Sequence, residues 1–126
     1  MKENIKFYKC RKCENIIEVI DGNISNITCC EKKMEEIKAN TIDAAIEKHV
    51  PVYEKIDNKI IVRVGEKIHP MDEDHYIMWI MIVSDNKVMK TNLKPHDKPE
   101  VEFVYQKGAI LYSYCNKHGL WKNDIK

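Results

Sequence analysis

Residues 76–93 read YIMWIMIVSDNKVMKTNL, an apolar run followed by a short polar turn and then a second, more polar run. Runs of this length that are rich in Ile, Val and aromatic residues favour β-strands, and Asp85-Asn86 has the composition of a turn. The stretch therefore predicts two successive strands, residues 76–84 and 87–93.

The same pattern extends to both sides of this stretch. Further strands are predicted at 50–55, 59–64, 101–106 and 109–115, with turn signals at Asp57-Asn58 and Lys107-Gly108. Helical periodicity is scarce, and only Thr41 to Lys48 offers a helical turn or two. Short strands at this spacing predict an all-β domain, an antiparallel β-sandwich of the immunoglobulin-like kind.

The N-terminal part of the sequence differs, because it holds four of the five cysteines. Asp21-Gly22 reads as a turn between 16–20 and 24–27, which predicts a small hairpin module. A module of this size buries too little core to be stable alone and needs a metal, a disulfide or a partner chain. We predict a metal module at 1–37 and the β-sandwich domain at 38–126.

Composition excludes several classes of protein. Hydrophobic residues make up 44% and charged residues 33%, which disfavours disorder, and a net charge of +1 without a basic block disfavours nucleic-acid binding. No signal-peptide segment is evident, and the longest apolar run, 76–83, is too short to span a bilayer. We expect a cytoplasmic protein without a membrane partner, in which an odd number of cysteines favours metal ligation over disulfides.

The cysteines of the first module have the spacing of a metal site. Cys10-Arg11-Lys12-Cys13 resembles a chelating knuckle, and Cys29-Cys30 can complete a shell of four sulfurs. Adjacent residues of a strand point to opposite faces, so the chain must bend at Cys29-Cys30. The pattern predicts a distorted tetrahedral centre, and residue types leave iron and zinc open.

A second candidate site involves imidazoles. Four of the five histidines lie in predicted connections or strand ends, and Cys115 stands three residues before the last of them; the four are His49, His69, His75 and His118. Four imidazoles and a thiolate suit ferrous iron better than structural zinc and leave one octahedral position open for chemistry. The thiolate would donate electron density to the iron. Spacing alone leaves ordinary surface or core histidines as the alternative.

Other residues near these motifs have weaker signals. Glu47-Lys48 precede the first of these histidines, and an ammonium beside an open metal position would attract an anion. The pair is equally typical of a solvated helix end. His96 lies between two prolines and is interpreted as exposed and non-ligating, while Trp79 and Trp121 are interpreted as packing residues.

Four segments together resemble the desulfoferrodoxin family, the two-iron form of superoxide reductase: FYKCRKC (7–13), EKHVP (47–51), HPMDEDHYIMWI (69–80) and YCNKHGLW (114–121). The resemblance covers both parts of the chain in the family's order. It implies a rubredoxin-like or desulforedoxin-like module followed by a superoxide reductase domain. It also implies a homodimer that defends an anaerobe against oxidative stress.

The resemblance also implies the roles of individual residues. Cys10, Cys13, Cys29 and Cys30 would hold a rubredoxin-like iron that relays or stores an electron, with zinc as a substitute. His49, His69, His75 and His118 would be equatorial ligands and Cys115 the axial ligand of the catalytic iron. Lys48 would assist the reaction of superoxide, and Glu47 would bind the oxidised iron as a cap. The implied reaction is the one-electron reduction of superoxide to hydrogen peroxide, with rubredoxin or a similar donor restoring ferrous iron.

The chain departs from the family where glycine commonly follows the second and fourth cysteines. Glu14 and Glu31 occupy these positions. If either needs a left-handed backbone, the cost is roughly 1 to 2 kcal/mol. Two extra carboxylates near the thiolates should also make reduction of the first centre harder.

Three other functions compete with the reductase. A pure electron carrier would not need an open position at the histidine iron. A superoxide dismutase would need no electron donor, and the thiolate ligand favours one-way reduction instead. A scaffold stapled by two zinc ions would explain the four cysteines but not the five-ligand shell.

Overall fold

The computed structural model describes residues 5–22, 26–40, 49–65 and 69–126. In these residues all regular secondary structure is β, and every sheet is antiparallel, as predicted. Contacts divide the chain into two compact units, Glu3–Lys38 and Ala39–Lys126. No helix in the described ranges is long and apolar enough to cross a membrane.

In its described residues the first unit contains five short strands: β1 (Lys6–Lys9), β2 (Ile16–Val19), β3 (Thr28–Cys29), β4 (Lys32–Lys33) and β5 (Glu35–Ile37). Strands β2, β1 and β5 form a three-stranded sheet in that order, and β3 pairs with β4. The buried hydrophobic residues of the described part are few, namely Phe7, Cys10, Val19 and Met34. So small a core agrees with the expectation that this unit needs additional cross-linking.

The hairpin predicted around Asp21-Gly22 lies partly outside the described residues, which do not include 23–25, and its described residues do not pair with each other. Strand β2 pairs with β1, its one neighbour in the described sheet, whereas residues 26–27 belong to no strand. The reversal occurs at the cysteine knuckle, where Cys10 N donates to Asn15 O and Glu14 N donates to Cys10 O, each at 2.9 Å. The cysteine knuckle therefore forms the hairpin turn between β1 and β2.

The second unit contains seven strands in its described residues: β6 (Pro51–Ile56), β7 (Lys59–Val64), β8 (Ile77–Val83), β9 (Val88–Asn92), β10 (Glu100–Val104), β11 (Ile110–Cys115) and β12 (Gly119–Asp124). They form two sheets, in the orders β10-β7-β6 and β12-β11-β8-β9. The strands predicted between residues 50 and 115 are confirmed to within two residues at each end.

The two sheets share one hydrophobic core. Strand β7 alternates, with Ile60, Val62 and Val64 buried and the residues between them more exposed. These side chains join Ile80, Ile82 and Leu111 of the other sheet in a single cluster of buried residues. The inner faces therefore pack on each other, which confirms the predicted β-sandwich.

Strand β12 was not expected, because the sequence suggested no strand after residue 115. It pairs with β11 from Ile110↔Asp124 to Cys115↔Gly119. Residues 119–124 (GLWKND) include no β-branched residue and one residue of a type favoured in strands, Trp121, so composition offers only a weak strand signal there. The turn at 116–118 returns the chain instead, and Gly119 has a φ of +87°, which costs little only for glycine.

A β-bulge interrupts the pairing between β8 and the end of β11. Tyr114 pairs with Trp79 while Cys115 pairs with Ile77, so Met78 is an extra residue in β8. Bulges bend a strand and often lie beside functional sites. This one lies where the fully buried Cys115 ends its strand.

Two predictions lie outside the described residues. They are the helical turn at Thr41 to Lys48 and the pair Glu47-Lys48 within it.

Candidate metal centres

The described residues contain two groups of histidine and cysteine side chains whose possible ligand atoms all lie within 4.8 Å of one another. One group consists of Cys10, Cys13, Cys29 and Cys30, and the other of His49, His69, His75, Cys115 and His118. The structure thus brings together the same two sets that the sequence suggested. His96 is exposed and belongs to neither group.

The four-cysteine group is built on the knuckle and on a bend after β3. The sulfurs of Cys13 and Cys29 are 3.5 Å apart, and those of Cys29 and Cys30 are 3.9 Å apart. Cys30 has a φ of +53°, so the chain does bend where two adjacent cysteines must turn toward one centre. Cys10 is buried, whereas Cys13 and Cys30 are exposed.

Glu14 and Glu31 both adopt the left-handed backbone that was considered for them, each with a φ of 64°. Each residue directly follows a cysteine of the group. For a residue with a Cβ atom this conformation costs roughly 1 to 2 kcal/mol relative to glycine. The unit therefore carries backbone strain at both ends of its cysteine group.

The thiols of this group cannot all ionise easily on their own. The pKa of Cys10 is lowered to about 6, chiefly because the backbone N–H of Cys13 donates to its sulfur. The pKa of Cys29 is raised to about 12, and that of Cys30 is also raised, chiefly through contact with the Cys13 side chain. A bound soft cation displaces the remaining protons, and four thiolates suit iron or zinc. No disulfide joins any of the five cysteines, all of which are described.

In the second group the imidazoles form a closed ring around a common centre. Neighbouring ring centroids are 4.5 to 5.0 Å apart and their planes are inclined by 68° to 86°, in the cyclic order His49, His69, His75 and His118. Because neighbouring imidazoles are arranged edge to face, the edges of all four rings can face one point. Four imidazoles that bind one metal ion could have this arrangement.

The nitrogen atoms that face the centre can be identified for three of these rings. His49 Nε2 lies 3.0 Å from His118 Nδ1, which in turn lies 3.8 Å from Cys115 Sγ. His69 Nδ1 lies 2.7 Å from Pro70 O and must donate to it, because a carbonyl oxygen only accepts. That bond leaves His69 Nε2 as the nitrogen available to a metal, a common way of orienting a ligand.

Several strands and connections supply this group. His49 lies just before β6, and its carbonyl accepts a hydrogen bond at 3.2 Å from Ser113 Oγ on β11. His69 and His75 lie in the connection from β7 to β8, Cys115 ends β11, and His118 is the last residue of the β11–β12 turn. The sandwich therefore collects at one end ligands that are up to 69 residues apart in sequence.

The group has a buried side and an accessible side. His49 and His69 are each 1% exposed and Cys115 is 0% exposed, whereas His75 is half-buried and His118 is exposed. The exposed side of the group is therefore formed by His75 and His118, and the sulfur of Cys115 lies on its buried side.

Trp121 was interpreted as a packing residue, and that interpretation is incomplete. Its indole ring stacks on His49, and its Nε1 donates to His118 O at 3.2 Å. The position of Trp121 in the segment YCNKHGLW could have indicated this role. Nothing in the sequence indicated a role for Ser113. Trp79 stacks on Tyr114 with centroids 5.7 Å apart, which is ordinary core packing.

Known proteins resemble the chain over most of its length. Desulfoferrodoxin of Syntrophotalea carbinolica is 46% identical, over 98% of this chain and 99% of that protein. Superoxide reductase of Thermococcus kodakarensis is 39% identical, over 63% of this chain and 86% of that protein. The crystal structure of the superoxide reductase from Treponema pallidum matches with a TM-score of 0.79 and 26% identity, covering 95% of this chain and 98% of that one.

The fold and the two ligand groups define an all-β protein with two candidate metal centres, one of four sulfur ligands and one of mixed nitrogen and sulfur ligands. A family model described as Desulfoferrodoxin matches residues 41–124. The chain belongs to the desulfoferrodoxin family. Its cofactors are accordingly two mononuclear non-haem irons, Fe(Cys)4 and Fe(His)4(Cys), and both donor sets fit iron.

Proposed function

We propose that this protein is a superoxide reductase, which reduces superoxide by one electron to hydrogen peroxide. The observation that carries the proposal is the closed ring of four imidazoles with the buried sulfur of Cys115 in the same group. Five ligands of this kind leave one position of an octahedral ferrous iron open for a small anion. The exposure of His118 and the partial exposure of His75 support access to that position.

His49, His69, His75, His118 and Cys115 are proposed as the residues that would hold the catalytic iron, with four imidazole nitrogens and one sulfur as ligand atoms. Cys10, Cys13, Cys29 and Cys30 are proposed to hold the other iron, which relays or stores an electron. Units of 1–37 and 38–126 are proposed to carry these two centres, supported by the division of contacts after Lys38.

When bound in the second group, ferrous iron supplies the electron for superoxide and the position at which it is reduced. Cys115 donates electron density as a thiolate, and its complete burial keeps water and protons from the sulfur. The bond from His69 Nδ1 to Pro70 O holds the imidazole in one tautomer. Lys48, directly before His49 in sequence, is proposed to attract superoxide through its charge, and Glu47 is proposed to cap the oxidised centre.

The partners are proposed on less direct grounds. A rubredoxin-like protein is the proposed electron donor, and exposure of Cys13 and Cys30 supports an approach to the sulfur centre. A homodimer is proposed because the first unit has a small core and Ile20, an apolar residue of that unit, is 92% exposed. A cytoplasmic location is proposed because five cysteines without a disulfide suit a reducing compartment.

The proposal is tested by product stoichiometry. The fully reduced, iron-loaded protein receives a known dose of superoxide without oxygen, and hydrogen peroxide and evolved oxygen are measured together. A reductase yields one peroxide per superoxide and no oxygen. Half that peroxide with matching oxygen would identify a dismutase. No acceleration over a protein-free control would indicate an electron carrier or a zinc-stapled scaffold.

A further inference from the structure

Asn116 lies in the turn between Cys115 and His118, yet its hydrogen bonds reach the other ligand-bearing connection. Its side-chain Oδ1 accepts from Tyr76 N at 2.9 Å, and its Nδ2 donates to Asp74 O at 3.0 Å. Its backbone N also donates to Tyr76 O at 3.2 Å. Three hydrogen bonds from one residue therefore bracket His75, because they end on the residues directly before and after it.

The segment that carries His75 is otherwise a tight turn at the surface. Asp72 N donates to His75 O at 2.9 Å, and His75 N donates to Asp72 O at 3.2 Å. Residues 72–74 are exposed, so little apolar burial anchors this turn to the sandwich. Ordering such a segment costs roughly 1 to 2 kcal/mol per residue in conformational entropy. Contacts from a rigid neighbour are therefore needed to hold His75 in place.

The amide of Asn116 suits this task for a chemical reason. Asp74 presents a carbonyl oxygen and Tyr76 presents an N–H, so one acceptor and one donor must be offered together. Among short side chains only asparagine carries both groups on one planar unit. A carboxylate at this position would retain the bond to Tyr76 N and place an oxygen against the carbonyl of Asp74.

We propose that Asn116 is a positioning residue of the histidine and cysteine centre, locking the connection that carries His75 onto the turn that carries Cys115 and His118. The proposal rests on the proposed function in that it refines the same centre. Its consequence is selective. His49 and His69 are held by burial, so loss of the Asn116 amide loosens His75 first and leaves the four-cysteine centre unaffected.

The test compares Asn116→Leu with Asn123→Leu. Asn123 is the matched control, since it is also half-buried, lies on β12 and donates through Nδ2 to Pro51 O at 3.0 Å. Both leucine variants keep the side-chain volume and remove the amide. Each protein is loaded with ferrous iron and then oxidised, and the loss of iron from each centre to a chelator is followed by the separate absorption of the two ferric centres. Amide hydrogen exchange at Tyr76 is measured in the metal-free proteins.

We expect Asn116→Leu to weaken iron retention at the histidine and cysteine centre by about 10- to 100-fold, the range for lost outer-shell partners of metal ligands. Retention at the four-cysteine centre should stay unchanged, and Tyr76 should lose exchange protection. The Asn123→Leu variant should resemble the parent in each respect. Equal retention in the two variants, or equal loss from both centres, would overturn the proposal.

A second variant covers the case in which Asn116→Leu does not fold. Asn116→Asp keeps the acceptor for Tyr76 N and lacks the donor to Asp74 O, so protection of the Tyr76 amide should persist while iron retention falls by a smaller factor. Retention equal to that of the parent would contradict the proposal. None of these readouts uses superoxide, so they stand apart from the stoichiometry test. A parent protein without reductase activity would refute the proposed function and leave the positioning role intact.

Discussion

The indole ring of Trp121 stacks on the imidazole of His49, with centroids 4.8 Å apart and planes inclined by 16°. The same indole donates from Nε1 to the carbonyl of His118. One side chain therefore supports two members of the histidine ring that are far apart in sequence.

This relationship predicts a graded response to substitution. Trp121→Phe keeps an aromatic face for His49 but lacks the N–H, so it should lower the free energy of unfolding of the metal-free protein by about 1 kcal/mol. Trp121→Leu removes the stacking as well and should cost about 1 kcal/mol more. Urea unfolding measures both. Trp79→Phe is the control for general packing, since Trp79 stacks on Tyr114. In its iron-loaded form this variant should leave the absorption of the histidine and cysteine centre unchanged. Equal stability of the two Trp121 variants would contradict the stacking contribution.

The backbone strain at Glu14 and Glu31 leads to a prediction for the sulfur centre. Replacing both by glycine should raise its reduction potential, because two carboxylates that oppose added negative charge are removed. The variant should also retain its metal more firmly, since both residues have a left-handed φ of 64°.

A second pair of substitutions separates charge from strain. Glu14→Gln with Glu31→Gln removes the charge but keeps the Cβ atoms, so it should raise the potential without improving metal retention. Redox titration and chelator competition give the two quantities. Identical potentials in the parent and both double variants would refute the electrostatic part.

Gly119 is predicted to be needed for the turn that carries Cys115 and His118. Its φ of +87° disfavours a side chain, although a Cβ atom there would meet nothing within 4 Å. Gly119→Ala should therefore cost about 1 to 2 kcal/mol through the backbone alone, measured by urea unfolding. Gly22→Ala is the matched control, with a φ of +104° and equally open space in the other unit. Only the Gly119 variant should alter the histidine and cysteine centre; an effect from both would point to a general loss of stability.

The burial of the Tyr112 phenol predicts a loss of stability at high pH. Burial raises the pKa of this phenol in the folded protein, and the nearby carboxylate of Asp124 adds to the effect. Below the unfolded pKa of about 10 both states keep the proton, so stability does not depend on this group there. Above it the unfolded state ionises while the folded state stays neutral, so stability falls as the pH rises. Urea unfolding of Tyr112→Phe should show a shallower decline between about pH 9 and about pH 11 than the parent. Parallel declines would contradict this account.

Local sequence patterns predicted much of the fold because the strands β6 to β11 consist of runs that favour extended structure by themselves. They did not predict β12, since GLWKND has only one residue that favours strands, Trp121, and becomes a strand through its pairing with β11. They also did not predict that the knuckle from Cys10 to Cys13 reverses the chain between β1 and β2.

The two ligand sets could be proposed from motif spacing and family resemblance, because their residues are chemically distinctive. The residues that hold these ligands could not. Trp121, Ser113 and Asn116 act on backbone groups and rings that only folding brings near, such as the carbonyl of His49, 64 residues before Ser113. An asparagine in a turn has many common uses, and its role depends on which carbonyl and N–H lie opposite.

We expect superoxide to be reduced at the histidine and cysteine centre and not at the sulfur centre. Rapid mixing of the fully reduced protein with superoxide, followed at the separate absorption of the two irons, distinguishes the two centres. The histidine and cysteine iron should be oxidised first, at a rate proportional to superoxide, and equally fast in a Cys13→Ser variant that lacks the sulfur centre. Earlier oxidation of the sulfur centre, or loss of the reaction in that variant, would contradict the claim.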